Sequence, residues 1–333
     1  MLKLTTLQRA DYFRYESFLE KVEGSLFYHS SRYKELLESL LDVKSTYQLV
    51  LDQNGEIQAV CPFMVKHGTY GPVLNSLPFY GSNGGILAKT DEAYNFLEYN
   101  YIKLAKNFVS SCYISNPLIE KETIINDYME KRISQWTDLG SKDQIWSSYS
   151  SSAKRNVRKA LKSKVQVQVS NHDFKFLYDV HLANMTTIGG LAKSREFFSL
   201  VPQKFNEDKD FKVFIATVND TKIAALLLFY HKDTVEYFTP VTNLDFRSFQ
   251  PMALIIYQAM MDACDRGFKK WNWGGTWLTQ DGVYKFKKNF GAHDLSYYYY
   301  IKINDERLCK LTKQDLLDEY PNFFVLPFDK LRG

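Results

Sequence analysis

The sequence predicts an α/β protein in which one mixed unit of strands and helices occurs twice. Three observations carry this. The chain has 333 residues, room for two domains of about 150 residues each. Its residues are 45% apolar and 16% aromatic, so each half can bury a core. The same order of elements, strand, tight turn, strand, strand, helix, strand, is legible in both halves.

In the first half, TYQLVLDQNGEIQAVCPFMV (46–65) places two apolar runs around Asn54-Gly55, a hairpin signal. A Gly-rich turn and a short apolar run follow in GSNGGILA (81–88). Tyr94, Leu97, Tyr101 and Leu104 recur at helical spacing and predict a helix over 91–108. SCYIS (111–115) reads as a buried strand closed by Pro117. In the second half, FKVFIATV (211–218), KIAALLLFYH (222–231) and DTVEYFTPV (233–241) read as three strands, with Asn219-Asp220 turning the first into the second. Pro251 starts a helix, where its missing N–H costs nothing, and Gly267 ends it. KKWNWGG (269–275) is the next strand.

Between the halves, Ser141 with Gln144 forms a capping-box pattern. AKRNVRKALKSK (153–164) is a basic helix, and further helices are expected over 173–187 and 194–206, with Gly189-Gly190 between them. The expected domains are 1–140 and 141–333, packed together without a low-complexity linker. Phe323, Phe324 and Phe328 in the tail are expected to dock on the body.

Composition and spacing exclude several function classes. Net charge is +4, too small on its own to argue for nucleic-acid binding, and no DNA partner is expected. Cys61, Cys112, Cys264 and Cys309 lie far apart, so no zinc knuckle or CxxC motif exists and reduced thiols are expected. The six histidines show no metal-binding spacing, so no metal is expected. Charges come too early for a signal peptide, and no run approaches the ~20 apolar residues of a membrane span. A cytoplasmic protein without a transmembrane segment is expected.

Three stretches carry candidate chemistry. Lys154, Arg155, Arg158, Lys159 and Lys162 share a helix face that can hold a polyanion; the alternative is a solvated face. Arg155 and Arg158 are favoured because guanidinium forks suit phosphates. NLDFRSFQPM (243–252) leads into a helix N-terminus, an anion site, with Arg247 in it. The third stretch is WNWGGTWLTQDGVYKFKKNFGA (271–292), with three lysines threaded between aromatics.

DGVYKFKKNFGA (281–292), following a strand that ends in Gly-Gly, resembles the closing motif of FemAB-like transferases, which carry two domains of the GNAT superfamily. AKRNVRKALKSKVQVQV (153–169), SLPFYGSNGGIL (76–87) and QPMALIIYQAMMDACDRGFKKWNWGG (250–275) resemble further segments of that family in the same order, from about residue 45 to 300. The resemblance implies two tandem GNAT-like domains, each a mixed sheet flanked by helices. It also implies an N-acyl or N-aminoacyl transferase that moves an activated acyl group onto an amine of a cell-envelope saccharide or its nucleotide- or lipid-linked precursor. Lys287 and Phe286 then lie at the active site, Trp273 helps to wall it, and Tyr237 is preferred over Glu236 as the polar group on the third strand. No tightly bound cofactor is implied. The donor is a co-substrate, and two donors stay open. Loop 243–252 lacks the glycines with which GNAT enzymes approach a pyrophosphate, and this and the basic helix favour aminoacyl-tRNA, with tRNA as a partner. The modest net charge and the lack of a coiled-coil arm favour acyl-CoA. The acceptor is expected to be an anionic small molecule or lipid-linked. The alternative function is a catalytically silent GNAT-fold module that binds an anionic sugar nucleotide.

Overall fold

The computed structural model describes residues 1–79, 84–119, 121, 126–276, 281–327 and 330–331. The chain divides into two compact units, one of residues 1–133 with 295–333 and the other of residues 134–294.

The first unit begins with β1 (Lys3–Thr6), α1 (Tyr12–Lys21), α2 (Ser31–Leu41) and β2 (Lys44–Ser45). The hairpin read around Asn54-Gly55 forms, as β3 (Gln48–Leu51) and β4 (Ile57–Cys61). Pro62 then breaks the run, and β5 (Met64–Gly68) joins a different sheet. Next come β6 (Gly71–Asn75), β7 (Leu87–Ala88), α3 (Asp91–Ala105) and β8 (Ser110–Ile114). One sheet has the order β1-β3-β4-β7, all antiparallel. In the other, β2, β5 and β6 pair antiparallel and β6 pairs parallel with β8, with α3 as the crossover. Thr90 caps α3 through Ala93 N, and Tyr94, Leu97 and Tyr101 bury its inner face, as their spacing predicts.

β9 (Tyr128–Asp138) starts in the first unit and ends in the second. The second unit continues with α4 (Lys142–Ser148), α5 (Ser151–Lys162), β10 (Gln166–Val169), α6 (Phe174–Thr187) and α7 (Arg195–Lys204). Then come β11 (Phe211–Val218), β12 (Thr221–His231), β13 (Thr234–Thr242), α8 (Pro251–Asp265), β14 (Lys270–Thr276) and α9 (Asp281–Lys288). Ser141 and Gln144 close the expected capping box on α4. β10 to β13 are antiparallel neighbours, and β13 and β14 pair parallel across α8. Ile223–Tyr230 in β12 is buried throughout, so this central strand reads as one apolar run rather than an alternation. α5 buries Ala153, Val157 and Ala160 at helical spacing and turns its cations outward.

β15 (His293–Ile303) runs back into the first unit, where Tyr299–Ile303 pair with β8, and α10 (Lys313–Glu319) precedes the tail. Phe323 is buried and Phe324 packs on Tyr299, while Phe328 lies outside the described residues.

Candidate active site

β13 and β14 are nine and seven residues long but pair over only three positions, ending at Glu236 opposite Asn272. Past that point each strand runs on without the other as partner. β13 also carries a bulge: Tyr237 faces Leu228 and Thr239 faces Leu227, so Phe238 is the extra residue. A parallel pair that parts in this way leaves strand backbone for something other than the sheet to satisfy.

The side chains around the parting are aromatic. Tyr237 lies 4.9 Å from Trp273 and 6.2 Å from Trp271, ring centre to ring centre. Trp273 meets Phe290, which meets Phe286. Trp271 and Trp273 are both buried, and Trp273 Nε1 donates to Thr137 Oγ1 at 2.9 Å. Trp277 lies outside the described residues. Burial pushes the Tyr237 phenol well up, so it stays neutral and can donate a hydrogen bond. Glu236, one residue earlier, is on the opposite face, beside Asn272.

Lys287 is 5% exposed, against 73% and 36% for the side chains of Lys285 and Lys288. Those two have acidic partners, Asp281 at 3.5 Å and Asp294 at 3.1 Å. Lys287 has none among the described residues. Its ammonium donates to three neutral acceptors: Thr276 Oγ1 at 2.7 Å, Gly275 O at 3.2 Å and Gly274 O at 3.5 Å. Burial lowers its pKa from 10.5 to about 8, which leaves it mostly protonated at neutral pH. Phe286 and Phe290, four residues apart, pack on each other with ring centres 5.2 Å apart, and Val283 is 45% exposed.

Three further residues build this site, and sequence reasoning did not find them. Asn272 Oδ1 accepts from Gly274 N at 2.8 Å and turns the chain there; Gly274 has φ +74°, where a side chain is strained. Thr276 Oγ1 donates onward to Gln135 Oε1 at 2.8 Å. Gln135 Nε2 reaches Tyr284 O at 3.4 Å. The Asn-x-Gly spacing is a signal that could have pointed to Asn272. Gln135 arrives on β9, far away in sequence, with no local mark.

Among the described residues, none of the three predicted arginines hydrogen-bonds to this cluster. Arg155 and Arg158 are exposed on α5, and Arg158 lies over the Trp146 ring at 5.7 Å. Arg247 is exposed in the 3-10 helix Leu244–Phe249, which fills the loop before α8. Gln250 adopts the left-handed conformation at φ 58°, the geometry a loop glycine would otherwise supply. Among the described residues, no group of three His, Cys, Asp or Glu could hold a metal.

Residues 192–297 match the family model described as the FemAB family. Over these residues the chain is similar to the FemAB family. The matched segment is less than half of the chain. It contains Tyr237, Arg247, Trp273, Phe286 and Lys287 but not Arg155 or Arg158. The chain is similar in fold to the crystal structure of FemX, with 16% identity and a TM-score of 0.69, covering 92% of this chain and 98% of that one. The C-terminal domain of a protein assigned as a lysylphosphatidylglycerol synthetase from Agrobacterium fabrum gives a TM-score of 0.56 at 10% identity, over 95% and 98% of the two chains. A tandem GNAT protein of the clavulanic acid biosynthesis pathway gives 0.50 at 8% identity, over 90% and 98%. These likenesses establish tandem GNAT-type folding, the architecture expected from the repeated order of elements. No curated protein is similar to the chain at a significant level.

Proposed function

We propose that this FemAB-like chain transfers an acyl or aminoacyl group from an activated ester or thioester to an amine of a cell-envelope saccharide or its nucleotide- or lipid-linked precursor. Lys287 and Tyr237 are the catalytic residues of this reading. The observation that carries it is the state of Lys287. A buried ammonium with only neutral acceptors is poised for a negative charge it does not yet have. It sits where β14 has left β13, so a donor can approach the backbone there.

The amine nitrogen attacks the acyl carbon, and the carbonyl π pair moves onto oxygen. Lys287 Nζ donates to that oxyanion, giving up its longest contact, to Gly274 O. Thr276 and Gln135 hold the ammonium in place meanwhile. Collapse re-forms the carbonyl and breaks the bond to the ester oxygen or thioester sulfur, and that atom receives the proton the amine loses. Tyr237, kept neutral, donates to the same oxygen or to the leaving atom. Trp273 and Phe286 exclude water, and holding the partners in line contributes on the order of 7–11 kcal/mol.

Arg155, Arg158 and Arg247 hold the phosphates of the donor or acceptor in this reading. Aminoacyl-tRNA is the favoured donor, because Pro251 removes an N–H from the start of α8 and no glycine opens the loop. The four free cysteines support a cytoplasmic site of action. Transfer is tested by supplying aminoacyl-tRNA or acyl-CoA with an amino-sugar acceptor and following the acylated product by mass spectrometry. Turnover that Lys287→Ala abolishes supports the reading; consumption of neither donor refutes it.

A further inference from the structure

One edge of the second unit combines exposed apolar side chains with unpaired cations. It is the end of the sheet where β10 begins, with Gln166 opposite Thr217, where β11 turns into β12 at Val218–Thr221, and where β13 ends, with Thr242 opposite Ala224. α5 delivers its last turn there, directly before β10. α6 reaches it too: Asn184 Nδ2 donates to Thr242 O at 3.0 Å, and Thr242 N donates to Asn184 Oδ1 at 3.2 Å. The last turn of α6 and the Gly189-Gly190 loop therefore lie beside the segment that comes after β13.

Among the described residues the second unit exposes seven large apolar side chains; four of them are on these segments and a fifth, Leu182, lies just before the last turn of α6. They are Leu161 (53%), Leu182 (42%), Ile188 (72%), Leu191 (72%) and Leu244 (48%). Residues 182–192 contain no charged side chain at all. The cations come from the neighbouring segments: Lys159, Lys162, Lys164 and Arg247, all exposed. From Gln144 to His172 the chain has six Lys or Arg and no Asp or Glu. None of those six forms an ion pair among the described residues, although Lys142 and Lys175, just outside the stretch, both do.

We infer that this edge docks on an anionic lipid surface. Scattered exposed leucines need no explanation, but five gathered at one edge do. Leucines and an isoleucine ringed by lysines match the interface of a bilayer, where apolar side chains enter the acyl boundary and cations meet the headgroup phosphates. A nucleic-acid backbone would reward the cations but leave Ile188 and Leu191 in water. No helix among the described residues is long and apolar enough to cross a membrane, so the contact is peripheral. β13 and β14 are parallel, so the strand end that carries Gly274–Thr276 and Lys287 points to the same edge. The docking inference does not depend on the acyl-transfer reading.

The test is sedimentation of the full chain with vesicles of phosphatidylcholine, alone or mixed with phosphatidylglycerol. The chain is expected to bind the mixed vesicles, to bind the neutral ones far less, and to be released by salt. Ile188→Ser with Leu191→Ser should weaken binding about tenfold or more without changing the melting temperature. Lys159→Ala with Lys162→Ala and Lys164→Ala should remove the preference for phosphatidylglycerol. Binding to neither vesicle, or binding that the apolar double variant leaves unchanged, overturns the inference. Retention of bulk tRNA that the lysine variant loses, with no vesicle binding, assigns the cations to nucleic acid and also overturns it.

Discussion

In the first unit β6 and β8 run parallel across α3 and pair over Val73–Asn75 and Ser110–Cys112. In the second, β13 and β14 run parallel across α8 and pair over Thr234–Glu236 and Lys270–Asn272. The same β-α-β step, with three paired positions, occurs twice, but the two copies diverge beyond the last pair. In the first unit Ser76 keeps the strands together: its N–H donates to Cys112 O at 3.0 Å and its Oγ accepts from Ile114 N at 2.8 Å. Asn75 then clamps the chain's own tail, donating to Phe324 O at 2.8 Å and accepting from Phe324 N at 2.7 Å. In the second unit the corresponding place holds an aromatic wall, a Gly-Gly pair and the buried Lys287. Parting parallel strands leave polar backbone to satisfy. The first copy satisfies it with Ser76 and Asn75; in the second, Lys287 reaches Gly274 O and Gly275 O, and the proposed reading adds a ligand.

The contrast breaks or holds on Lys287 first. Lys287→Ala should lower single-turnover transfer by about 10²-fold or more, about 2.7 kcal/mol of transition-state stabilisation. Lys288→Ala, which loses a half-exposed pair with Asp294 and a contact over the Tyr284 ring, should change it a few-fold at most. Equal effects would remove the reason for placing chemistry in the second copy.

The first copy should answer in stability instead. Asn75→Ala strips both backbone bonds from Phe324 in a fully buried place and should cost about 2 kcal/mol. Thermal melting would show it, while the rate constant of transfer by the folded protein stays unchanged. A loss of rate without a loss of stability would mean that the first copy also touches substrate.

Titration sharpens the comparison further. The folded pKa of Lys287 lies at about 8, below its ordinary 10.5. Between those values the unfolded chain holds the extra proton, so this group's contribution to stability rises with pH. Buried tyrosines such as Tyr237 act in the opposite sense at high pH, so the measurement is a difference. Stability of the wild type relative to Lys287→Met should increase by about 1 kcal/mol from about pH 8 to about pH 9. A flat difference would mean that the ammonium is not desolvated. The smallest effect belongs to Arg155→Ala and Arg158→Ala. They should raise KM a few-fold and weaken its salt dependence, with melting unmoved because both side chains are exposed.

The second unit was legible in the sequence where local chemistry decides structure. The Asn219-Asp220 turn, Pro251, Gly267 and the apolar run of β12 all mark their elements directly. The hidden parts depend on partners distant in the chain. β6 (GPVLN) opens on two residues that disfavour strands, and it is held by β5 and β8. β9 and β15 lack a tidy alternation. β15 takes its partner, β8, from about 185 residues earlier, and that pairing returns 295–333 to the first unit. The expected division at 140/141 followed the repeat of local patterns, which carries no sign of such a return. Lys287 was picked out by the resemblance of its motif to the FemAB closing motif, but its acceptor Thr276 and the support from Gln135 exist only once β9 and β14 lie together.

The central claim is that the donor's reacting group enters the second copy of the β-α-β step and not the first. Hydrogen–deuterium exchange with aminoacyl-tRNA, and separately with acetyl-CoA, tests it most directly. At least one donor should protect 237–242 and 270–276, together with α9, and leave 71–76 and 110–114 at their unliganded rates. Protection of 71–76 and 110–114, with 237–242 and 270–276 unchanged, would contradict it.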